Sequence, residues 1–233
     1  MTNVEVRVSN KRYRRAFYST FDNRHSTLPY DKVTIMSLRI GAGNQKGRML
    51  RAPKQAATRP TSGRVRAALF NILGDRVPGS SWLDLYAGSG IIGLEALCRG
   101  AARATFVEAH PEACRCITDN ITALGYDEQA ELRCEPVHRF LKSSQPAAER
   151  PFDVVFADPP YDDRERRTLE QLLLLCRRDG MMAPHAWLIV EHASAAATPS
   201  EGGEWRRART YVYGDSALTV YHPLPGRAQP SLP

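Results

Sequence analysis

One stretch decides the fold: Val154-Val155-Phe156-Ala157-Asp158-Pro159-Pro160-Tyr161. Its first four residues form an apolar, partly β-branched run, which is typical of a buried strand in a parallel sheet. The run stops at an acid and two prolines, and each proline fixes φ near about −65° and donates no backbone hydrogen bond. Two prolines alone can simply end a strand. With the acid and the aromatic residue beside them, they predict a rigid strand end that forms part of a site.

Strand-like and helix-like segments alternate through residues 78–223. Strands are predicted at residues 82–86, 104–108, 130–134, 153–157, 186–191, 205–213 and 217–221, and helices at 91–98, 111–124 and 166–178. We therefore expect an α/β fold with a seven-stranded, doubly wound, mostly parallel sheet of the Rossmann-like kind. A small extension at residues 38–77, comprising a cationic hairpin and a helix capped near Ser62, precedes this domain.

The length of 233 residues and the ordinary composition indicate one substantial domain with short appendages. Residues 1–37 are expected to be a disordered basic tail, with a transit peptide or a native start at Met36 as alternatives, and residues 224–233 a flexible tail. The five cysteines include no C-x-x-C pair, which favours a reducing, cytoplasmic compartment and argues against structural zinc. No apolar run approaches the roughly 18 residues that span a bilayer, so no membrane partner is expected.

Positive charge is concentrated near the N-terminus. Residues 1–66 contain 15 Lys and Arg residues against three acids, and the remaining residues carry a net charge of −5. Such a cluster gains affinity by releasing counterions from phosphates, so nucleic acid is the expected partner, although a solvated tail is the alternative for residues 1–35. The candidate RNA-binding residues are Arg39, Lys46, Arg48, Arg59, Thr61, Arg64 and Arg66.

Three features fall on the carboxyl edge of the predicted sheet, where ligands bind in such folds. The first is the loop Asp84-Leu85-Tyr86-Ala87-Gly88-Ser89-Gly90, whose glycines let the backbone approach a ligand closely. The second is Glu108, which ends the next strand and can accept both hydroxyls of a ribose. The third is the turn at Asp158. Together they predict a nucleoside-containing ligand.

The loop also fits the G-x-G-x-x-G pattern at residues 88–93, so an NAD-dependent oxidoreductase is an alternative. Asp84, however, suits a cationic group better than a pyrophosphate, and no second domain remains to hold a hydride acceptor. S-adenosylmethionine is the better match, because its amino-acid end can meet Asp84 and the loop while Glu108 takes the ribose.

Asp84 to Gly90, Glu108 and Asp158-Pro159-Pro160-Tyr161 resemble the motifs of class I S-adenosylmethionine-dependent methyltransferases that act on amino groups. Arg39-Ile40, Gly47-Arg48 and Arg59-Pro60-Thr61-Ser62 resemble the N-terminal signature of the RsmD family, and Val190-Glu191-His192 resembles one of its C-terminal pieces. The resemblance covers residues 38–222. It implies methylation of the exocyclic N2 of a guanine in small-subunit ribosomal RNA, free or in an assembling 30S particle, by a monomer that needs no metal.

The resemblance also implies the roles of individual residues. The Asp158 carboxylate and the Pro159 carbonyl accept hydrogen bonds from the target amine, Pro160 completes the catalytic motif, and Tyr161 stacks on the base. The cofactor-binding set is Asp84, Tyr86, Ala87, Gly88, Gly90, Glu108, Ala109, Glu135, Val137 and Asp158.

This chain departs from the family pattern at three places, one of which is Ala67, where an acid is usual just before the apolar pair of the helix. Pro136 stands where an Asp or Asn is expected to meet the adenine amino group, so Glu135 or the backbone of Val137 is the candidate for that contact. Gly63 replaces a usual acid. Two alternatives to the guanine-N2 enzyme stay open: a DNA amino-methyltransferase, and an RNA-binding assembly factor that has lost catalysis.

Overall fold

The computed structural model describes residues 38–53, 62–142, 151–160, 165–176 and 181–224. The predicted tail at residues 1–37 and the last nine residues lie outside these ranges, as do the predicted site residues Arg59, Thr61 and Tyr161.

A hairpin and a helix precede the main sheet. The elements in chain order are β1 (Leu38–Arg39), β2 (Met49–Leu50), α1 (Gly63–Leu73), a 3-10 turn (Gly74–Arg76), β3 (Ser81–Leu85), α2 (Ile91–Cys98), β4 (Arg103–Glu108), α3 (Pro111–Leu124), β5 (Ala130–Cys134), α4 (Val137–Lys142), β6 (Phe152–Ala157), α5 (Glu165–Leu175), β7 (Met182–Ala193), β8 (Glu201–Gly202), β9 (Trp205–Tyr213) and β10 (Ser216–Pro223).

The main sheet has the order β5-β4-β3-β6-β7-β10-β9-β8. Strands β3 to β7 pair in parallel, and the last three strands join by antiparallel pairing. The predicted doubly wound, mostly parallel α/β fold is confirmed. The predicted count of seven strands is wrong, since the sheet has eight strands within the described ranges. The extra strand, β8, has two residues, too few for any alternation to be visible in the sequence.

Most predicted boundaries lie close to the observed ones. Pro111 is the first residue of α3, and Gly125 ends that helix in the left-handed conformation with φ 73°. Ser62 caps α1 by accepting the Val65 N–H at 3.2 Å. The largest difference is β7, which is 12 residues long because it pairs with β6 on one side and β10 on the other.

Helices pack on both faces of the sheet. On the face covered by α1, α2 and α3, Phe70 and Ile117 belong to the same apolar cluster as Trp82, and the Phe70 and Trp82 rings stack at 5.8 Å. On the opposite face, Phe140 of α4 and Leu172 of α5 belong to a second cluster. In the part of the chain that the structure describes, no helix is long and apolar enough to cross a membrane.

The buried carboxylate of Glu95 fastens the N-terminal extension to α2. Its side chain is 1% exposed and lies 2.8 Å from Arg66 Nε and 2.7 Å from Arg99 Nη2. The Gly41 N–H donates to the same carboxylate at 3.1 Å, and Arg66 also donates to the Arg39 carbonyl at 2.7 Å. Arg66 was predicted to bind RNA. Arg66 is buried and its guanidinium joins three elements of the fold, so any contact of Arg66 with RNA stays a prediction.

We expect Glu95→Gln to destabilise the protein by about 3–5 kcal/mol, because it leaves the buried Arg66 guanidinium without its counter-charge. Chemical denaturation measures the change in unfolding free energy. The matched control is Glu201→Gln, which removes the exposed ion pair with Arg206 and should cost less than about 1 kcal/mol. Equal losses in the two variants would contradict the anchoring role of Glu95.

Candidate functional site

The strand order places the glycine loop beside the Asp158 turn. The order of the parallel strands reverses between β3 and β6, and Leu85 at the end of β3 pairs with Ala157 at the end of β6. The Asp158 N–H donates to the Leu85 carbonyl at 3.4 Å. Asp158 is half-buried and Pro159 is buried, whereas Pro160 is exposed. The two motifs that the sequence placed on one edge therefore meet at the switch point of the sheet, where such folds bind ligands.

The glycine loop has an unusual backbone. Tyr86 has φ 60°, the left-handed region that side chains other than glycine rarely adopt, and it is followed by Gly88 at 56° and Gly90 at 76°. The Ala87 N–H donates to the Val107 carbonyl at 3.1 Å, which ties the loop to β4. A Cβ built on Gly88 would meet no atom within 4 Å. The loop therefore presents open space to a ligand.

Glu108 is held in place by the backbone around it. Its Oε2 accepts the Gly88 N–H at 2.8 Å, and its Oε1 accepts the N–H groups of Ala109 and His110, each at 2.8 Å. A carboxylate has about four lone-pair sites, so these bonds orient the group and leave acceptor capacity. About one acceptor site is therefore left on Glu108, and its contact with a ribose stays a prediction.

Asp84 lies deeper than the sequence suggested. Its side chain is 1% exposed, and its Oδ2 accepts the Gly93 N–H at 2.9 Å in the first turn of α2. Burial raises the pKa of Asp84 from its ordinary value of 3.8 to about 8; the Gly93 N–H opposes this shift and the nearby Glu108 adds to it. Direct contact between Asp84 and a cofactor stays a prediction. A cationic ligand near this carboxyl would favour its ionised form.

The candidate adenine contacts lie next to Glu108. Cys134 pairs with Glu108 across β4 and β5, and Glu135 follows it with 7% exposure and its Oε1 3.5 Å from Arg133 Nε. Val137 is the first residue of α4. A disulfide links Cys134 to Cys114 of α3, a pairing that the sequence analysis did not predict.

Asn120 connects the N-terminal extension to the cofactor loop, and sequence reasoning missed it. The side chain is 2% exposed. Its Nδ2 donates to the carbonyls of Ser89 at 3.0 Å and Arg51 at 2.9 Å, and its Oδ1 accepts the Arg51 N–H at 2.8 Å. A polar residue on the apolar side of α3, beside Ile117 and Ile121 in helical spacing, was the available signal.

Of the predicted RNA-binding residues that the structure describes, those of the hairpin lie away from this site. The hairpin turn packs on the ends of α2 and α3, where the Asn44 N–H donates to the Cys98 carbonyl at 2.9 Å and Arg48 Nη2 to the Ala123 carbonyl at 2.8 Å. Because both helices begin at the ligand edge, their ends lie towards the opposite edge of the sheet. Lys46 is part of this turn and Arg39 donates to its Gly47 carbonyl, whereas Arg64 is exposed at the start of α1.

The residues at the ligand edge fit S-adenosylmethionine. The open space above Gly88 suits the amino-acid end of that molecule. The oriented Glu108 carboxylate suits its ribose, and the buried Asp84 carboxyl suits its cationic group. Within the described ranges, no group of three or more His, Cys, Asp and Glu side chains is placed to hold a metal ion.

Comparisons with known proteins identify relatives of this chain. A family model described as conserved hypothetical protein 95 matches residues 38–222. Ribosomal RNA small subunit methyltransferase D of Escherichia coli is 32% identical over 184 residues, covering 79% of this chain and 89% of that protein. The protein of the same name from Haemophilus influenzae is 37% identical over 155 residues, covering 66% and 78%.

Solved structures share the fold. A hypothetical protein from Thermus thermophilus superimposes with a TM-score of 0.66 at 33% identity, covering 78% of this chain and 98% of that one. An RNA methyltransferase from Salinibacter ruber in complex with S-adenosyl-L-homocysteine has a TM-score of 0.55 at 16% identity, covering 74% and 97%, and shares the fold alone.

We expect Asp84→Asn to flatten the pH dependence of stability. The folded-state pKa of about 8 lies above the ordinary value of 3.8, so the folded protein binds more protons than the unfolded chain between these values and loses stability as pH rises through them. Asparagine keeps an acceptor for the Gly93 N–H but does not titrate. Unfolding free energies at about pH 5 and about pH 8 measure the effect. An unchanged difference between the two pH values would contradict a protonated Asp84.

We expect Asn120→Ala to destabilise the protein by about 1–3 kcal/mol and to weaken cofactor binding severalfold, because it removes the buried hydrogen bonds that Asn120 makes to the Ser89 carbonyl and to the Arg51 backbone. Denaturation and calorimetric titration with S-adenosyl-L-homocysteine give the two quantities. Asn71→Ala, at an exposed position of α1, is the matched control. Cofactor affinity equal to that of the unchanged protein would show that Asn120 does not support the loop.

Proposed function

Because the chain belongs to the RsmD family, whose family model is described as conserved hypothetical protein 95, we propose that it methylates the exocyclic N2 of a guanine in small-subunit ribosomal RNA. The cofactor is S-adenosylmethionine. The relatives from Escherichia coli and Haemophilus influenzae are named as methyltransferases of this RNA, which supports the class of substrate.

One juxtaposition in the structure carries the proposal. The glycine loop and the Asp158 turn follow neighbouring strands, and the Asp158 N–H donates to Leu85, the residue before Tyr86, at 3.4 Å. A methyl donor bound along the loop and an amine bound at the turn would therefore lie side by side. Holding two reactants in line can contribute about 7–11 kcal/mol to catalysis, so alignment alone can supply much of the rate.

The glycine loop and the ends of the two neighbouring strands would hold and orient the cofactor. Glu108, fixed by three N–H groups, would accept the ribose hydroxyls, and Glu135 or the backbone at Val137 would meet the adenine. The glycine backbone at Gly88 would lie against the amino-acid end. What the bound cofactor supplies is an activated methyl group on a cationic sulfur.

The Asp158 turn would act on the nucleophile. The lone pair of guanine N2 is delocalised into the ring, so the amine is a poor nucleophile until hydrogen bonds orient it. The Asp158 carboxylate and the Pro159 carbonyl would accept its two protons and direct the lone pair at the methyl carbon. With the cofactor bound, the nitrogen–carbon bond would form as the sulfur–carbon bond breaks to leave a neutral thioether, and the surplus proton would leave to Asp158 or to water.

The target guanine must be unpaired or flipped out, because a base inside a helix cannot enter a pocket at the end of a strand. Tyr161, outside the described residues, would stack on the base. A monomer and a cytoplasmic location stay predictions, as does the preference for free RNA or an assembling particle.

The direct test is methylation of undermethylated small-subunit ribosomal RNA with methyl-labelled cofactor, followed by nucleoside digestion. The expected product is N2-methylguanosine. Label in adenosine or cytidine would contradict the choice of base, and transfer to DNA alone would favour a DNA amino-methyltransferase. Failure to bind the cofactor in calorimetry would favour an inactive assembly factor.

We expect Asp158→Ala to lower the rate of methyl transfer by about a hundredfold or more while leaving cofactor affinity largely intact, because this carboxylate faces the amine. Single-turnover assays and calorimetry measure the two effects. Asp75→Ala, at an exposed position after α1, is the matched control. Parallel loss of cofactor binding would contradict a role for Asp158 at the target amine.

A further inference from the structure

We propose that Arg209, Tyr211 and Tyr213 of β9, here called the β9 ladder, bind the single-stranded RNA that flanks the target guanine. The inference rests on the proposed function and adds a substrate-binding surface to it. The ladder lies outside the RNA-binding set predicted from the sequence.

The three side chains stand on one face of β9. Arg209 pairs with Val220, Tyr211 with Leu218 and Tyr213 with Ser216, without a bulge between them. Both tyrosines pack against the cluster that contains Val220 and Leu218, and both remain half-buried, while Arg209 is exposed. Alternate residues of a strand lie about 7 Å apart, so the ladder is a row of two aromatic rings and a guanidinium on a rigid strand.

Tyr211, the middle residue of the ladder, lies level with the Asp158 turn across the sheet. Tyr211 pairs with Leu218, and Leu218 pairs with Glu191 on β7. Glu191 follows Val190, which pairs with Ala157, so this row of the sheet extends to Asp158. Three strand spacings separate Tyr211 from that position, a lateral distance of about 14 Å. Nucleotides next to a guanine held at Asp158 would reach the ladder.

Arg209 differs from the two other arginines of β9. Arg206 forms an ion pair with Glu201 at 2.8 Å, and Arg207 donates to the carbonyl and the hydroxyl of Thr198, both at 3.0 Å. The Arg209 guanidinium lies 4.9 Å from the centroid of the Tyr211 ring and has no ion-pair partner among the described residues. Its charge is therefore available to an external anion.

The chemistry of the ladder favours single-stranded nucleic acid. Aromatic rings on a strand stack on bases of any sequence, and an arginine beside them neutralises a phosphate. The acid on the same row, Glu191, is 3% exposed and does not present its charge to solvent. The cationic hairpin turn, at the opposite edge of the sheet, is poorly placed to hold these flanking nucleotides. The β9 ladder is better placed to bind the nucleotides that flank the target guanine.

The test compares Arg209→Glu with Arg139→Glu, the same charge change at an exposed position of α4 on the other face of the sheet. The substrates are transcribed fragments of small-subunit ribosomal RNA centred on the guanine that the unchanged protein methylates, with and without single-stranded flanks. We expect Arg209→Glu to raise KM for flanked RNA about tenfold at unchanged kcat and cofactor affinity, and to lower the salt dependence of binding by about 0.7 for one lost phosphate contact. Arg139→Glu should change neither quantity.

Two further variants separate charge from stacking. Arg209→Lys should restore the salt dependence, and Tyr211→Leu, which keeps apolar packing, should weaken binding of flanked RNA about tenfold with little change in salt dependence. If Arg209→Glu and the unchanged protein have equal KM and equal salt dependence, RNA binding by the β9 ladder is overturned, and the proposed function is left intact. An unchanged protein that methylates no RNA would instead refute the proposed function.

Discussion

The ion-paired carboxylate of Glu95 is the constraint on which the N-terminal third of the structure depends. It sits on α2 at 1% exposure and faces two guanidinium groups, of Arg66 and Arg99, and the N–H of Gly41. A buried charge is costly unless it is paired and hydrogen-bonded, so only the docked arrangement of hairpin, α1 and α2 satisfies all of these groups. The hairpin is thus held against the helix that begins at the glycine loop.

The ligand edge is organised from the same side of the sheet. Asn120 donates hydrogen bonds to the carbonyls of Arg51, after β2, and of Ser89, in the glycine loop. Glu108 accepts a hydrogen bond from the Gly88 N–H of the same loop. The cofactor loop is therefore supported by side chains from α3 and β4 in addition to its own backbone. This explains how a loop that contains the strained Tyr86 conformation can keep one shape. It also makes the N-terminal extension part of the support of the site.

Local patterns predicted most of the fold because each reports on a local requirement. The apolar run at 154–157 needs a buried strand, and Gly125 is a residue that can end α3 in the left-handed conformation. Features that depend on distant partners were missed. Arg66 was read as a surface cation because Glu95 is 29 positions away, and the Cys114–Cys134 bond joins elements whose proximity follows only from the strand order. The strand order places Leu85 beside Ala157, next to the glycine loop and the Asp158 turn, while the roles of the motif residues stay predictions. The depth of Asp84 required the packed structure.

The net charge read from the sequence also differs from the charge that the folded surface exposes. Residues 67–233 carry a net charge of −5, which gives no reason to expect an anion-binding surface there. Net charge, however, does not distinguish a buried acid such as Glu191 or an acid paired with arginine, such as Glu201, from one that faces solvent. After these are accounted for, Arg209 stands exposed on β9 beside Tyr211. In the basic N-terminal region, residues 1–66, Arg66 is instead paired with the Glu95 carboxylate. Arg209 is thus an exposed cation in the part of the chain whose overall balance is acidic.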